Sequence, residues 1–398
     1  MRIIGVTGKP NVGKSTFFSA STLIPVKIAN YPFTTIEPNV GVGYVRLKEA
    51  ALDFNIIPQP NNSYSRGGFR FAPIQLVDLP GLVPGAHAGR GLGNQFLTAV
   101  SNADALIHVI DASGGTDSEG RTIKPGTHDV ISDVKFLEEE YEIWLLDVMK
   151  RNWERISRKV DSSNIPLSEG ISMTMTNLAG TRGEVETALT QSDVPQEPAD
   201  WKDDDFNRFS KVLRQKTMPI LLVANKADVP EAEENIRILK EAGHKVIPTS
   251  AEAELALRRA DKSGLIEYIP GSEDFSIKKE DLLKQEQRKG LELLKEKVLR
   301  KWGSTGLQRA LDEATFSLLQ MVAVFPVQDP RKLTDGKGRV LPDVYLLDPD
   351  STAKDLANAI HSEIGEKFLY AIDVRTLRRL SDDYKLKPGE VISIVSAA

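Results

Sequence analysis

The chain has no cysteine, which excludes disulfides, thiolate metal sites and a thiol redox switch. No apolar run approaches the roughly eighteen residues of a membrane span. No internal repeat and no low-complexity tract is present. Net charge is −5, so no global field draws the chain to nucleic acid. Any RNA contact would use a local patch, and no DNA or membrane partner is expected. The first residues enter an apolar strand at once, which predicts a soluble cytoplasmic protein. A length of 398 residues predicts two or three domains with a sizeable core.

What is present is a set of short motifs at strand ends. Gly8-Lys9-Pro10-Asn11-Val12-Gly13-Lys14-Ser15 fits the phosphate-loop pattern G-x-x-x-x-G-K-S and follows the apolar run 3–6. A strand feeding such a loop, with a helix starting near Lys14, aims backbone N–H groups at a phosphate. Lys14 would reach the β- and γ-phosphates, and the Ser15 hydroxyl would take one Mg²⁺ position. Farther on, Asn225-Lys226-Ala227-Asp228 supplies a carboxylate that accepts both N1–H and the exocyclic amine of guanine. Adenine offers no matching pair of donors. Between them, Leu76-Val77-Asp78-Leu79-Pro80-Gly81 is an apolar strand ending in D-x-x-G. There Asp78 would hold Mg²⁺ through water, and the Gly81 amide would sense the γ-phosphate. A polar, proline-bounded loop at 31–39 carries Thr34 and Thr35, two candidate hydroxyl ligands. The step 246–251 would back the base with a backbone N–H at Ser250 or Ala251. The expected nucleotide site is thus Gly8, Asn11, Val12, Gly13, Lys14, Ser15, Thr16, Gly81, Asn225, Lys226, Asp228, Ser250 and Ala251.

Strand-like runs at 3–6, 40–47, 74–77 and 105–110 alternate with helical or loop segments, which predicts a parallel-rich sheet covered by helices. From about 129 to 215 the spacing turns helical, with Val134, Leu137, Tyr141, Trp144, Leu145 and Val148 on one face. A returning helix at 203–215 would make this insert a helical hairpin or coiled coil. The segment 58–68 reads as a mobile loop. Helical patterns follow at 281–302 and 305–322. The first carries Lys278, Lys279, Lys284, Arg288, Lys289, Lys295, Lys297, Arg300 and Lys301, read either as a solvated face or as an RNA contact. Beyond Val327, strand runs at 344–347, 369–374 and 391–395 flank a helix at 353–364, N-capped by Ser351 or Thr352.

The runs YPFTTIEPNVG and DLPGLVPGAHAGRGLGNQFL resemble the Obg-related GTPases, and GLGNQFL is most similar to their YchF branch. The stretch from about Phe325 to Val395 resembles a TGS domain, a small β-grasp module. The resemblance implies an α/β P-loop GTPase sheet formed by 1–115 and 217–300. It further implies a coiled-coil-like helical insertion at 116–216, a helical connector at 301–324 and a TGS-like β-grasp domain at 325–398. Within the family, the second threonine, Thr35, is the expected Mg²⁺ ligand beside Ser15 and Asp78, with Thr34 as the alternative. The expected partners are GTP or GDP and, by analogy with the TGS module, a ribosome or RNA in translation. Typical YchF proteins have a degraded fourth motif and are linked to ATP. This chain keeps a full NKAD and is expected to prefer GTP.

One more absence concerns catalysis. Ras-like enzymes follow D-x-x-G with a glutamine that orients the attacking water. Here the residue is Leu82, which predicts slow intrinsic hydrolysis. His87 and Arg90, in the glycine-rich loop 85–91, are candidate substitutes, against a plain surface role for either. Asn11 is a candidate K⁺ ligand by resemblance, against a loop-shaping role. Two other functions stay open: an RNA- or ribosome-binding adaptor with incidental hydrolysis, and a YchF-like ATPase.

Overall fold

The computed structural model describes residues 2–23, 39–81, 100–175, 178 and 180–397. Strand β1 (Ile3–Thr7) runs into the glycine-rich turn that opens helix α1 (Lys14–Thr22). Then come β2 (Asn39–Lys48), a short β3 (Tyr64–Arg66), β4 (Phe69–Asp78) and the wholly buried β5 (Ala105–Asp111). A helical segment intervenes: α2 (Val130–Ser163), α3 (Leu167–Thr174), α4 (Arg182–Ser192) and α5 (Asp203–Thr217). The chain returns through β6 (Ile220–Asn225), α6 (Ala232–Glu241), β7 (Val246–Pro248) and α7 (Ala251–Lys262).

These strands form one sheet in the order β2-β4-β1-β5-β6-β7, with β3 beside β4. All neighbours from β4 through β7 are parallel, and β2 runs antiparallel to β4. Parallel pairing brings the carboxyl ends of β1, β4, β5 and β6 to one edge, where open α/β sheets bind ligands. The register sets Val6 beside Asp78 and Asp111 beside Asn225. Phe17 and Phe18 of α1, fully buried against the sheet, anchor the phosphate loop from below.

The apolar stripe of α2 packs against α5 and the helices between them. Trp201 centres an aromatic cluster with Trp153, Phe206 and Phe209 at ring separations of 4.4–5.3 Å. Large rings interlocked in this way make a four-helix layer, where spacing alone left a hairpin or coiled coil open.

After α7, strands β8 (Ile266–Tyr268) and β9 (Phe275–Ile277) form a small hairpin. Helix α8 (Gln285–Leu294) continues through a π-helical turn to Trp302. Five of the nine cations in and beside it pair with carboxylates: Lys278 with Glu267, Arg288 with Glu280, Lys295 with Asp274, Arg300 with Glu296 and Lys301 with Glu233. That pairing supports the solvated-face reading. Helix α9 (Leu307–Asp312) then leads to the last sheet.

That sheet holds β10 (Val322–Val327), β11 (Tyr345–Leu347), β12 (Phe368–Asp373), β13 (Arg379–Leu380) and β14 (Val391–Ser396), in the order β11-β10-β14-β12-β13. The helices α10 (Ala353–Ile360) and α11 (Ser362–Glu366) accompany it. Two expectations about this region need correction. The helical connector does not reach residue 324, because the β-branched run at Val322 pairs on both sides as β10. The helix expected over 353–364 breaks at His361, which is extended and caps α11 by accepting the Glu363 N–H at 3.3 Å. Thr352 is the N-cap of α10, in a capping box with Asp355.

The segment 58–68, expected to be mobile, is a clamp. Gln59 and Asn61 donate backbone N–H groups to the carbonyls of Val340 and Pro342 at 2.8 and 2.7 Å. The Asn62 amide exchanges two bonds with the Val344 backbone. A polar loop needs these partners once both sides are covered.

Helix α9 joins the same seam. Asp312 accepts the Arg46 N–H of β2 at 2.7 Å and a Gln308 amide proton at 2.9 Å. Burial pushes the Asp312 carboxyl from 3.8 up to about 6, partly opposed by those donors. The folded state therefore holds this proton more tightly than the unfolded chain. Its contribution to stability is full below 3.8 and declines as pH rises to about 6. Asp312→Asn is expected to flatten the stability profile across that window by on the order of 2 kcal/mol in urea titrations. An unchanged slope would place the titrating group elsewhere.

Candidate nucleotide site

The phosphate loop is shaped by two glycines that admit no side chain. A Cβ on Gly8 (φ 143°) would lie 2.2 Å from the Val109 carbonyl oxygen, and one on Gly13 (φ 98°) 2.2 Å from the Asn225 amide nitrogen. The first hydrogen bond of α1 runs from the Phe17 N–H to the Gly13 carbonyl at 2.9 Å. The N–H groups of Lys14, Ser15 and Thr16 therefore point out of the helix start, free for an anion. Val12 is fully buried and pins the loop to the core.

Lys14 folds back, its Nζ donating to the Lys9 carbonyl at 2.9 Å. Burial pushes its ammonium down to about 8, against the pull of Asp78. Gly81 reaches the same place: a Cβ there would sit 3.4 Å from Lys14 Nζ. The Ser15 hydroxyl donates to Asp78 Oδ2 at 3.3 Å, while Asp78 Oδ1 is buried without a partner. Burial raises the Asp78 carboxyl, opposed by Lys14 and Ser15. An orphaned carboxylate oxygen beside a hydroxyl is an all-oxygen donor set that fits Mg²⁺, which keeps waters and takes few protein ligands. Thr34, Thr35, Leu82, His87 and Arg90 lie outside the described residues.

Asn225 ties the two halves of the site together. Its amide donates to the Val12 carbonyl at 2.8 Å, and its carbonyl accepts the Ala251 N–H at 3.0 Å. With the Ser250 N–H given to the Thr305 carbonyl, both backbone donors expected to back the base are taken up within the protein. Lys226, in the left-handed region at φ 61°, pairs with Asp111 at 2.7 Å. Asp228 accepts the Ser250 hydroxyl at 2.7 Å, and both carboxylate oxygens keep accepting capacity for a base.

Sequence reasoning missed three contacts that shape the site. Lys9, buried at 3 % exposure, donates to the Thr116 carbonyl at 2.8 Å and pairs with Asp133 of α2. The Asn11 amide donates to the Gly120 carbonyl at 2.9 Å, so the loop after β5 lies on the phosphate loop. Trp302 donates its indole N–H to the Ala227 carbonyl at 3.0 Å. None of these partners lies near its target in sequence, and no motif marks them.

Comparison with known proteins places the chain in a family. Residues 3–145 match the family described as 50S ribosome-binding GTPase, and residues 333–396 match the TGS domain. Residues 223–329 match the description Obg-like GTPase YGR210-like, G4 motif-containing domain. A Methanocaldococcus jannaschii protein named as GTP-binding is 42 % identical over 400 residues, covering all of both chains. The chain belongs to the Obg–YchF family of P-loop GTPases. A solved structure of a GTP-binding protein from Pyrococcus horikoshii is similar to this P-loop GTPase over the whole of both chains, with 36 % identity and a TM-score of 0.78. A Mycoplasma pneumoniae protein named ribosome-binding ATPase YchF is 32 % identical over 235 residues, covering 58 % of this GTPase and 59 % of that protein. Among the described residues, no helix is long and apolar enough to cross a membrane.

Proposed function

We propose that this protein binds GTP and GDP, hydrolyses GTP slowly, and uses the nucleotide state to control binding to a ribosome or RNA. The observation that carries the nucleotide reading is the Asp228 carboxylate, held by Ser250 at 2.7 Å within the site that Asn225 ties to the phosphate loop. A carboxylate there accepts two guanine donors and rejects adenine, so GTP is preferred over ATP despite the ATPase name of one relative. Lys14 and the free N–H groups of α1 neutralise and orient the β- and γ-phosphates. Ser15, Asp78 and Thr35 would hold Mg²⁺, which would supply positive charge to offset that of the phosphates. Competition of ATP against GTP in a binding titration tests the preference, and equal displacement would overturn it.

With Leu82 in place of a glutamine, no side chain at that position orients the attacking water, and catalysis leans on charge stabilisation by another group. Asn11 is our candidate K⁺ ligand. Its Nδ2 donates to the Gly120 carbonyl, which leaves Oδ1 as the acceptor that would take a cation. Turnover is expected to be about tenfold faster in K⁺ than in Na⁺ buffer, with Asn11→Ala removing the difference. Equal rates in both salts would remove the monovalent ion from the mechanism.

The ribosome reading rests on the family descriptions and the C-terminal module. Co-sedimentation with ribosomal subunits at stated salt is expected with a non-hydrolysable GTP analogue and not with GDP. Equal binding in both states would favour the second reading, an adaptor with incidental hydrolysis, to which Leu82 lends weight.

A further inference from the structure

The two loops that would read the base are held from outside themselves, by a short segment between α8 and α9. Trp302 donates its indole N–H to the Ala227 carbonyl at 3.0 Å, one residue before Asp228. The Ala227 N–H in turn donates to the Thr249 carbonyl at 3.0 Å. Three residues after Trp302, the Thr305 carbonyl accepts the Ser250 N–H at 2.9 Å. Ser250 is the residue whose hydroxyl donates to Asp228. Both supports of the Asp228 carboxylate, its own backbone and its hydroxyl donor, therefore end on residues 302–305.

The segment is built for this contact. Gly306 sits at φ 81°, and a Cβ there would lie 1.9 Å from the Pro248 carbonyl oxygen, so only glycine lets the Thr305 carbonyl come so close. The Thr305 hydroxyl, 1 % exposed, is fixed by Glu254 at 2.5 Å, and Glu254 is itself held by Tyr268 and Arg258. Trp302 is steadied from the other side by Lys301, whose ammonium lies 5.2 Å from the ring centre and pairs with Glu233.

We propose that Trp302 and Thr305 are positioning residues for base selection: they hold the Ala227 and Ser250 backbones so that the Asp228 carboxylate meets both guanine donors at once. This rests on the base reading given above. A carboxylate that must accept two parallel N–H bonds tolerates little displacement, because each bond weakens steeply away from linear geometry. A loop left without Trp302 still binds phosphate and ribose. It loses the second guanine bond preferentially.

The probe is inosine diphosphate, which keeps N1–H but lacks the exocyclic amine, so the ratio of GDP to IDP affinity reports the two-bond contact. In the full chain, Trp302→Phe keeps a ring but removes the donor. It is expected to lower the GDP:IDP ratio about fivefold while IDP affinity stays within about twofold. Added to Asp228→Ala, it should lower the ratio no further. In the unaltered protein, exchange of the Trp302 indole proton is expected to slow more with GDP than with IDP. A wild-type ratio retained in Trp302→Phe, while Asp228→Ala abolishes it, would overturn the positioning role and leave the base reading standing. Equal indole protection by the two nucleotides would overturn it as well, whether or not the variant folds. Equal affinity of the unaltered protein for GDP and IDP would instead overturn the base reading, and the proposal with it.

Discussion

Asp228→Asn is expected to weaken GDP binding by about a hundredfold or more and to raise affinity for xanthosine diphosphate. The reason is donor and acceptor matching at a single oxygen pair. The carboxylate accepts from guanine N1–H and the exocyclic amine, whereas an asparagine amide presents one donor and one acceptor. Xanthine carries a carbonyl where guanine carries the amine, and so suits the amide. Sites built to hydrogen-bond a polar group reject a mismatched partner far more strongly than apolar pockets reject a methyl group. The loop should survive the change, since the Asn carbonyl still accepts the Ser250 hydroxyl that now donates to Asp228 at 2.7 Å. Calorimetric titration with GDP and xanthosine diphosphate decides it. An unchanged preference would mean that this carboxylate does not contact the base.

Arg70→Ala should destabilise the fold by about 3–5 kcal/mol, the cost of stranding a buried charge. Arg70 is fully buried, and Glu49 is 2 % exposed. The guanidinium grips the carboxylate at 2.8 and 3.0 Å, and a further N–H donates to the Leu341 carbonyl at 2.9 Å in the C-terminal half. Its carbon lies 5.3 Å from the Phe325 ring centre on β10. Burial alone would push the Glu49 carboxyl up, yet the hydrogen bonds and charge of Arg70 together carry it below the usual range. Removing the arginine leaves that charge with two weaker donors, an Ala51 N–H at 3.2 Å and the Ser65 hydroxyl. The double change Arg70→Met with Glu49→Leu is expected to recover most of the loss, because neither charge then remains to be paid for. Denaturant titration of the three proteins tests both statements. A loss below about 1 kcal/mol in Arg70→Ala would show that the seam relaxes to admit water.

Position in the chain explains which parts of the molecule could be read in advance. The phosphate loop, the strand ending at Asp78 and the run 225–228 are each contained in a few consecutive residues. Their chemistry needs backbone turns and side chains at fixed short offsets, which a sequence displays directly. The parallel-rich sheet was legible for a similar reason, since apolar runs separated by helical spacing admit few packings. Strand β10 was not legible. Its residues follow a helical pattern without a turn signal, and only pairing with β11 and β14 makes Val322–Val327 a strand. The clamp at 58–63 was misread because its Pro, Asn and Ser content matches that of a free loop. Its partners at 340–344 lie about 280 residues away.

By itself the sequence determined the P-loop GTPase architecture, and it named the oxygen ligands and the carboxylate proposed here for magnesium and guanine. Each of those depends on local order. Tertiary structure alone decided that Lys9 is spent on Asp133, that Asn11 tethers the loop at Gly120, and that Trp302 and Thr305 hold the Ala227 and Ser250 backbones. A buried polar group takes whichever partner the packed chain brings within hydrogen-bond reach, and that distance is set by the folding of whole elements.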